Sequence, residues 1–497
     1  MTKHTLICLA ALLGLAACKR ETPLEERIAA SGYPDEIGRI MLQTCATEGC
    51  HAGATPASAL DLSTWASAFG GSDFGAVVIP YQPDWSHLFL HVNTFDDLGP
   101  QATPTMPEDE AGYLTRTEVQ AVRDWIAAGA RDRDGRAWWQ AQETRSTGKV
   151  FALCAGSDLI GVADLGSNLV MRFVEVGQYP GTLEAPHFIA PSPDGQYVYV
   201  SLISGNLLEK YRADTYERVG RLALGASPAL IALDATGTRA VVSHWNDLEN
   251  ETKLSLIDTE QMRLIDEVVA GPGFMSLPHG LQATADFRTL YVVANGGNYY
   301  VKVEIDADGF IDAEYYPLDP AGDPQPRNTP AYKPYHLILS EATGQVFISC
   351  SEKNEVRIFD LATDSLRAVI PTGRYPRLMA YDATAARLYV ACRDEENFAV
   401  QGSRQGCVSV IDAATQTWLQ HIYGLGQRPH GIGLAAAQRR LYVSSENTGG
   451  IDPPHHPIGG TSGPPGKYHV IDLDALRVIG EAETELAVFP NALLIIP

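Results

Sequence analysis

A chain of 497 residues is longer than one small core needs, so two or more domains are expected. Its 60 acidic side chains outnumber 37 basic ones, and a formal net charge of −23 argues against nucleic acid and against an anionic lipid surface as partners. The same charge suits a basic protein partner, and a solvated acidic surface accounts for it equally well.

In chain order, the first element is an amino-terminal leader. Lys3 and His4 precede an apolar run from Leu6 to Leu15, which meets Leu15-Ala-Ala-Cys18. A short basic start, a brief apolar core and small residues at the cut read as a secretory signal, too short to span a bilayer as a mature helix. The Leu-Ala-Ala-Cys box resembles the bacterial lipoprotein signal, which implies lipid on Cys18; a soluble cleaved peptide is the alternative. Lys19 after the cysteine lacks the aspartate that in that family tends to retain lipoproteins at the inner membrane. The expectation is a lipid anchor in the bacterial cell envelope, at the outer membrane facing the periplasm, followed by a polar tether over 19–30.

Cys45-Ala-Thr-Glu-Gly-Cys50-His51 follows, in the order required for covalent attachment of one c-type haem. The two thiols add to the haem vinyl groups, and the adjacent imidazole becomes an iron ligand. Four residues separate these cysteines where two are usual, and a Cys45–Cys50 disulfide is the bland alternative. Apolar residues at helical spacing between Pro34 and Gln43 predict a helix leading into the motif. Thr105-Met106-Pro107 lies in a loop from which a thioether can reach the sixth iron position, and His/Met ligation suits an electron carrier of raised potential. His87 and His91, one helical turn apart, are the competing ligands. From Leu114 to Gly129 a helix is predicted, with Thr115 as N-cap, Glu118 three residues on, and a stripe of Val119, Val122, Trp125 and Ile126.

Together with Leu60-Asp-Leu-Ser63, these features over about residues 31–140 resemble the planctomycete-type cytochrome c domains. The resemblance implies a small all-α domain with Cys45 and Cys50 bound to haem and His51 and Met106 as its axial ligands.

Beyond residue 148 the chain repeats itself. Arg387-Leu-Tyr-Val-Ala-Cys392 with Val408-Ser-Val-Ile-Asp412 matches Arg440-Leu-Tyr-Val-Ser-Ser445 with Tyr468-His-Val-Ile-Asp472, and related blocks recur upstream. This pattern resembles the YVTN-type repeat of β-propellers across 148–497. Strand counting gives seven blades, with strands starting near 149, 197, 239, 289, 345, 387 and 440, and inner strands near 186, 228, 278, 334, 376, 429 and 490. The chain enters on the second strand of a blade and leaves on an inner one, so the first and last strands are expected to pair and close the propeller.

Stepping back twelve residues from each repeat tyrosine or its equivalent reaches His187, Ala229, His279, Tyr335, Arg377, His430 and Asn491, one residue per blade at one mouth of the channel. His336 misses that register and should face away. His244, Cys350 and Cys392 fall on the same face, as do the loops 317–334, 393–406 and 446–467, the last carrying His455 and His456. Two readings follow. His187, His279 and His430 could hold copper or another metal; alternatively, Pro-His-Gly is a structural turn. Arg377 suits a carboxylate or other anion better than a cation. Propellers with a haem domain or copper centre, among them nitrite and nitrous oxide reductases, share the architecture only. Cys392 and Cys407 flank one loop closely enough to bridge, so a disulfide or a pair of thiols is expected there.

The sequence therefore predicts an electron-transfer protein with a covalent haem and a redox partner, its propeller being a docking platform or a second redox or ligand site. The competing class is a non-enzymatic propeller binding module with an accessory haem.

Overall fold

The computed structural model describes residues 22–139, 148–179, 181–271, 274–322, 331–394, 399–400, 403–446 and 465–497. The leader with Cys18, and His455 and His456, lie outside them. No helix among the described residues is long and apolar enough to cross a membrane.

The first part holds five short helices: α1 (Leu24–Ser31), α2 (Asp35–Ile40), α3 (Trp65–Ala68), α4 (His87–Val92) and α5 (Arg116–Ala127). α2 widens into a π-turn over Met41–Cys45 that delivers the chain to the cysteine motif. α5 starts where its sequence demands: Thr115 and Glu118 form a reciprocal capping box, and Val119, Val122, Trp125 and Ile126 are its buried face.

Seven four-stranded antiparallel sheets follow, the blades of a propeller. Blade 1 runs, from channel to rim, Pro490–Ile496, Lys149–Cys154, Leu159–Asp164 and Val170–Glu175. Its inner strand is thus the last strand of the chain, paired from Lys149↔Ile496 to Cys154↔Pro490. The sheets do not merge into one closed sheet. The blades are separate hydrogen-bonded units, so the pairing completes one blade and the ring closes by packing between blades.

The other inner strands are Pro186–Pro191, Pro228–Leu233, Pro278–Ala283, Pro334–Ser340, Arg374–Asp382 and Pro429–Ala435. Each of the seven carries a proline directly after a non-glycine residue of positive φ: Ala185, Ser227, Leu277, Lys333, Tyr375, Arg428 and Phe489, between 47° and 60°. Left-handed backbone is costly for such residues, and the proline cannot donate to the ladder. Pairing with the next strand shifts register at or just after each of these prolines, as between Pro278 and Leu281 or Pro429 and Ile432. The residue after each proline therefore sits in a bulge.

Blades are also tied to their neighbours by serines. Ser243 Oγ donates to His279 O at 2.7 Å, and Ser349 Oγ to Arg377 O at 2.9 Å. These bonds satisfy inner carbonyls that no ladder reaches.

The helical part packs on the rim, not over the channel. Gln82 Nε2 donates to Phe173 O at 2.7 Å, and Phe173 N donates to Gln82 Oε1 at 2.8 Å. One carboxamide thus occupies the exposed edge of the outermost strand of blade 1. Around it, Trp85 and Phe173 rings lie 5.0 Å apart and the Arg172 guanidinium lies 5.0 Å over Tyr81. Ala76 and Ile79 join a buried cluster with Val150, Val170, Tyr442, Tyr468 and Leu486 of blades 1 and 7. Three strand spacings of about 4.8 Å separate this rim from the inner strand.

Two outcomes test this arrangement. Deleting residues 489–497 leaves blade 1 with a bare edge, so the chain should lose its cooperative thermal transition and aggregate on size exclusion. Gln82→Ala strips two backbone groups of their partner and should destabilise the docked state by about 1–3 kcal/mol, read by urea unfolding with tryptophan fluorescence.

Candidate functional site

Two groups of chemically capable residues emerge, one in the helical part and one at the channel mouth.

In the first, the motif cysteines are free thiols, Cys45 buried and Cys50 exposed, with no disulfide between them. The loop is shaped by its backbone: Cys50 N bonds Thr47 O at 3.1 Å, His51 N bonds Cys45 O at 3.3 Å, and Leu62 N bonds His51 O at 2.9 Å. Burial pushes the Cys45 thiol up to about 12, with Cys50 adding to the shift. His51 Nδ1 is buried without a hydrogen-bond partner. Cys45 belongs to the apolar cluster that also holds Leu88, Phe89 and Val92 of α4, so motif and helix share one core.

The proposed sixth ligand lies in the loop that follows α4. Met106 is half-buried, and its N–H bonds His91 O at 2.8 Å. His91 Nδ1 lies 2.6 Å from Pro104 O, which can only accept, so that nitrogen carries the proton. His87 and His91 are both 7% exposed, their ring centroids 6.4 Å apart. Met106, His87 and His91 therefore lie on one loop-and-helix unit, all within reach of the same neighbourhood.

At the channel, each ring residue follows an inner-strand proline, as the register arithmetic predicts. Of the two readings of these histidines, the hydrogen bonds fit the structural one. Among the described residues no three His, Cys, Asp or Glu side chains group as a metal site. The hydrogen-bond network explains why. His279 Nδ1 lies 2.8 Å from Tyr335 O and His430 Nδ1 lies 2.5 Å from Asn491 O, so both rings carry their proton on Nδ1. The remaining Nε2 lone pairs are already engaged. His187 Nε2 meets His279 Nε2 at 3.1 Å, and the Tyr335 hydroxyl donates to His430 Nε2 at 2.8 Å. His187 and His279 thus contact directly, while His430 is reached only through Tyr335. Among the described residues the Nε2 atoms of His187, His279 and His430 are each engaged by a neighbouring ring.

The other predicted residues divide. His336 faces the next blade, its Nδ1 accepting from Met379 N at 3.3 Å. His244 is internal to blade 3, bonded to Ala226 O at 3.0 Å and Ser255 Oγ at 2.9 Å. Cys350 is a buried free thiol pushed up by burial. Cys392 and Cys407 stand directly opposite across their strand pair and their side chains interact, with no disulfide between them. Cys392 Sγ also lies 3.5 Å from Val390 O and 3.4 Å from Ser409 Oγ.

Sequence reasoning missed three members of the channel mouth. Trp245 packs on His279 and Tyr335, at 4.7 and 6.2 Å between centroids. Glu446, 1% exposed, forms an ion pair with Arg393 and lies 4.0 Å from Arg428. Their signal was positional: each directly follows the second strand of its blade or lies near that strand's end. Arg377 itself lies 4.3 Å over the Tyr335 ring, and its Nε is buried without a hydrogen-bond partner. Burial, then the neighbouring Arg393 and Arg428, lower its pKa.

No protein-family model matches the chain, and no curated protein matches it. Among solved structures it is similar to a functionally unknown protein from Desulfotomaculum acetoxidans DSM 771, at 12% identity and TM-score 0.50, over 69% of this chain and 100% of that one. It is also similar to Kuenenia stuttgartiensis hydrazine synthase, at 17% identity and TM-score 0.49, over 64% and 93%. A third is dihydro-heme d1 dehydrogenase NirN in complex with DHE, at 13% and 0.46, over 92% and 88%. At such identities the likeness is one of fold alone.

The buried propeller histidines set a pH dependence. Burial holds His187, His244 and His336 at about 4 against an ordinary 6.5, and also lowers His279 and His430 well below that ordinary value. These groups are neutral when folded and bind protons when unfolded. Their contribution to stability is complete above about 6.5 and is lost as pH falls toward 4. The urea midpoint should therefore drop steadily from pH 7 to pH 4.5; a flat profile would mean the imidazoles are protonated in the folded state.

Proposed function

We propose that the helical part is a c-type cytochrome module and that the chain transfers single electrons to or from a partner protein. The observation that carries this reading is the Cys45-x-x-x-x-Cys50-His51 loop, with both thiols free and an imidazole whose buried Nδ1 has no partner inside the protein. A disulfide would have explained the cysteines without haem, and the thiols are not so joined. The haem, when bound, supplies a one-electron iron couple. Cys45 and Cys50 would hold it covalently, His51 would supply an imidazole to its iron, and the apolar cluster around Cys45 and α4 would exclude water and raise the potential. Met106 is the proposed second axial ligand, held by the bond from its own amide to His91. His87 and His91 remain the alternatives.

The propeller is proposed as the platform that carries this module. Docking on the rim leaves the channel mouth uncovered by the helical part, which favours two separate binding faces over a channel enzyme drawing its electrons through the haem. The second reading, a propeller binding module with an accessory haem, rests on that same uncovered mouth. A lipid attached at Cys18, with the chain held at the outer membrane and facing the periplasm, is part of the proposal, as is a basic redox partner matched to the charge of −23.

Expression with haem maturation tests the first reading. The wild-type chain should gain the mass of one haem and keep it under denaturing conditions. Cys45→Ala with Cys50→Ala should lose it, and a wild-type chain that never gains it would end the cytochrome reading. Met106→Ala should abolish the thioether-to-iron charge-transfer band and lower the midpoint potential, while His87→Ala and His91→Ala leave the band in place.

A further inference from the structure

We propose that the channel mouth of the propeller is a binding site for a small monocarboxylate, gripped by the guanidinium of Arg377. The proposal stands apart from the haem reading, because every group it uses belongs to the propeller.

The argument begins with what the ring leaves over. The network described above engages His187, His279, His430 and Tyr335 with one another or with backbone carbonyls. Arg393 is neutralised by Glu446. Arg428 is half-exposed, its side chain 52% accessible, and water can solvate it. Arg377 rests on the Tyr335 face and shares the charge of Glu446 only at longer range. Among the described residues its guanidinium makes no hydrogen bond and no direct ion pair, and its Nε is shut away from solvent. A half-buried guanidinium whose N–H donors meet no acceptor is a costly arrangement.

The chemistry of the occupant follows from charge and shape. Three guanidiniums, those of Arg377, Arg393 and Arg428, against the single carboxylate of Glu446 leave this mouth positive and call for an anion. The planar fork of an arginine matches the two oxygens of a carboxylate through paired N–H bonds. The Tyr335 ring lies 4.3 Å from the guanidinium, and Trp245 packs edge-on against that same ring and His279, adding apolar surface to the mouth. A flat carboxylate with a short apolar tail fits such a corner better than a spherical halide does.

Placement agrees with this. Arg377 follows Pro376 in blade 6, so its position is dictated by the same bulge that fixes every ring residue. It faces Tyr335 of the preceding blade, while His430 of the next blade is held by the Tyr335 hydroxyl. A carboxylate bound to Arg377 would therefore span the centre of a preformed constellation.

Titration of the full chain with acetate and benzoate, in a low-salt buffer with a bulky sulfonate counter-ion, tests the proposal by calorimetry and thermal shift. Both anions should bind saturably and raise the melting temperature, and neutral acetamide should do neither. Arg377→Gln should weaken benzoate at least tenfold, and Arg377→Lys should fall between, retaining charge without the fork. In ligand-free buffer Arg377→Gln should melt no lower than wild type, because it removes a half-buried cation whose N–H donors meet no acceptor. Equal behaviour of acetate and acetamide would overturn the proposal, as would an Arg377→Lys protein that binds benzoate within twofold of wild type. A large loss of stability in Arg377→Gln without ligand would also overturn it, marking the arginine as structural. Chloride competing as well as benzoate would show a point-charge site and reject the carboxylate geometry.

Discussion

The chemistry of the propeller depends on one backbone device used seven times: a left-handed residue followed by proline at or near the start of each inner strand. The positive φ turns the chain from the outer strand of one blade into the channel, and the proline removes an N–H that the ladder could not use. A register shift follows, so one residue per blade is displaced from regular pairing. Ring identity is then a matter of which amino acid occupies that single bulged position. Neighbouring blades may carry alanine, tyrosine or arginine there without disturbing the sheet.

Given that geometry, the imidazoles are constrained by carbonyls. His279 and His430 each donate from Nδ1 to the backbone carbonyl of a ring residue in the next blade with one. A ring so anchored has its tautomer fixed and offers a lone pair to the channel, which is how metal ligands are commonly oriented. Here those lone pairs meet His187 and Tyr335 before they can meet an ion. The difference between a metal centre and a structural network is thus one donor on each imidazole.

Much of this was legible in the sequence because it repeats. The repeat tyrosines and prolines recur with spacing that located the starts of the second strands and six of the seven inner strands; the inner strand of blade 6 begins two residues earlier, at Arg374. The twelve-residue step found the ring because both ends of that step are backbone features. What was not legible arises from contacts without a pattern. Nothing around Gln82 distinguishes it from other polar residues, yet its carboxamide pins the helical part to Phe173. Glu446 and Arg393 meet from different blades, 53 residues apart, so local sequence carries no trace of their pairing. Spacing also placed Cys392 beside Cys407 correctly, but spacing does not decide whether sulfur bonds to sulfur or to a neighbouring serine and carbonyl.

The rim position of the helical part bears on how the two sites relate. The Gln82 docking contact and the ring residue of the same blade lie at opposite edges of its sheet, about three strand spacings apart. Coupling between them would need an element with two arrangements that both sites bias. Blade 7 touches both, packing Tyr442 and Tyr468 with Ala76 and Ile79 and carrying His430, and so does blade 1, since its outer strand bonds Gln82 and its inner strand carries Asn491, the acceptor of the His430 proton. That strand is also the last of the chain, held to Lys149–Cys154 by the pairing that completes the blade. The seam where the propeller closes is therefore one of the places where the helical part and the channel ring meet the same blade. A seam built from the two ends of the propeller sequence is its least local piece of structure, and the place where loosening one pairing would be felt on both faces.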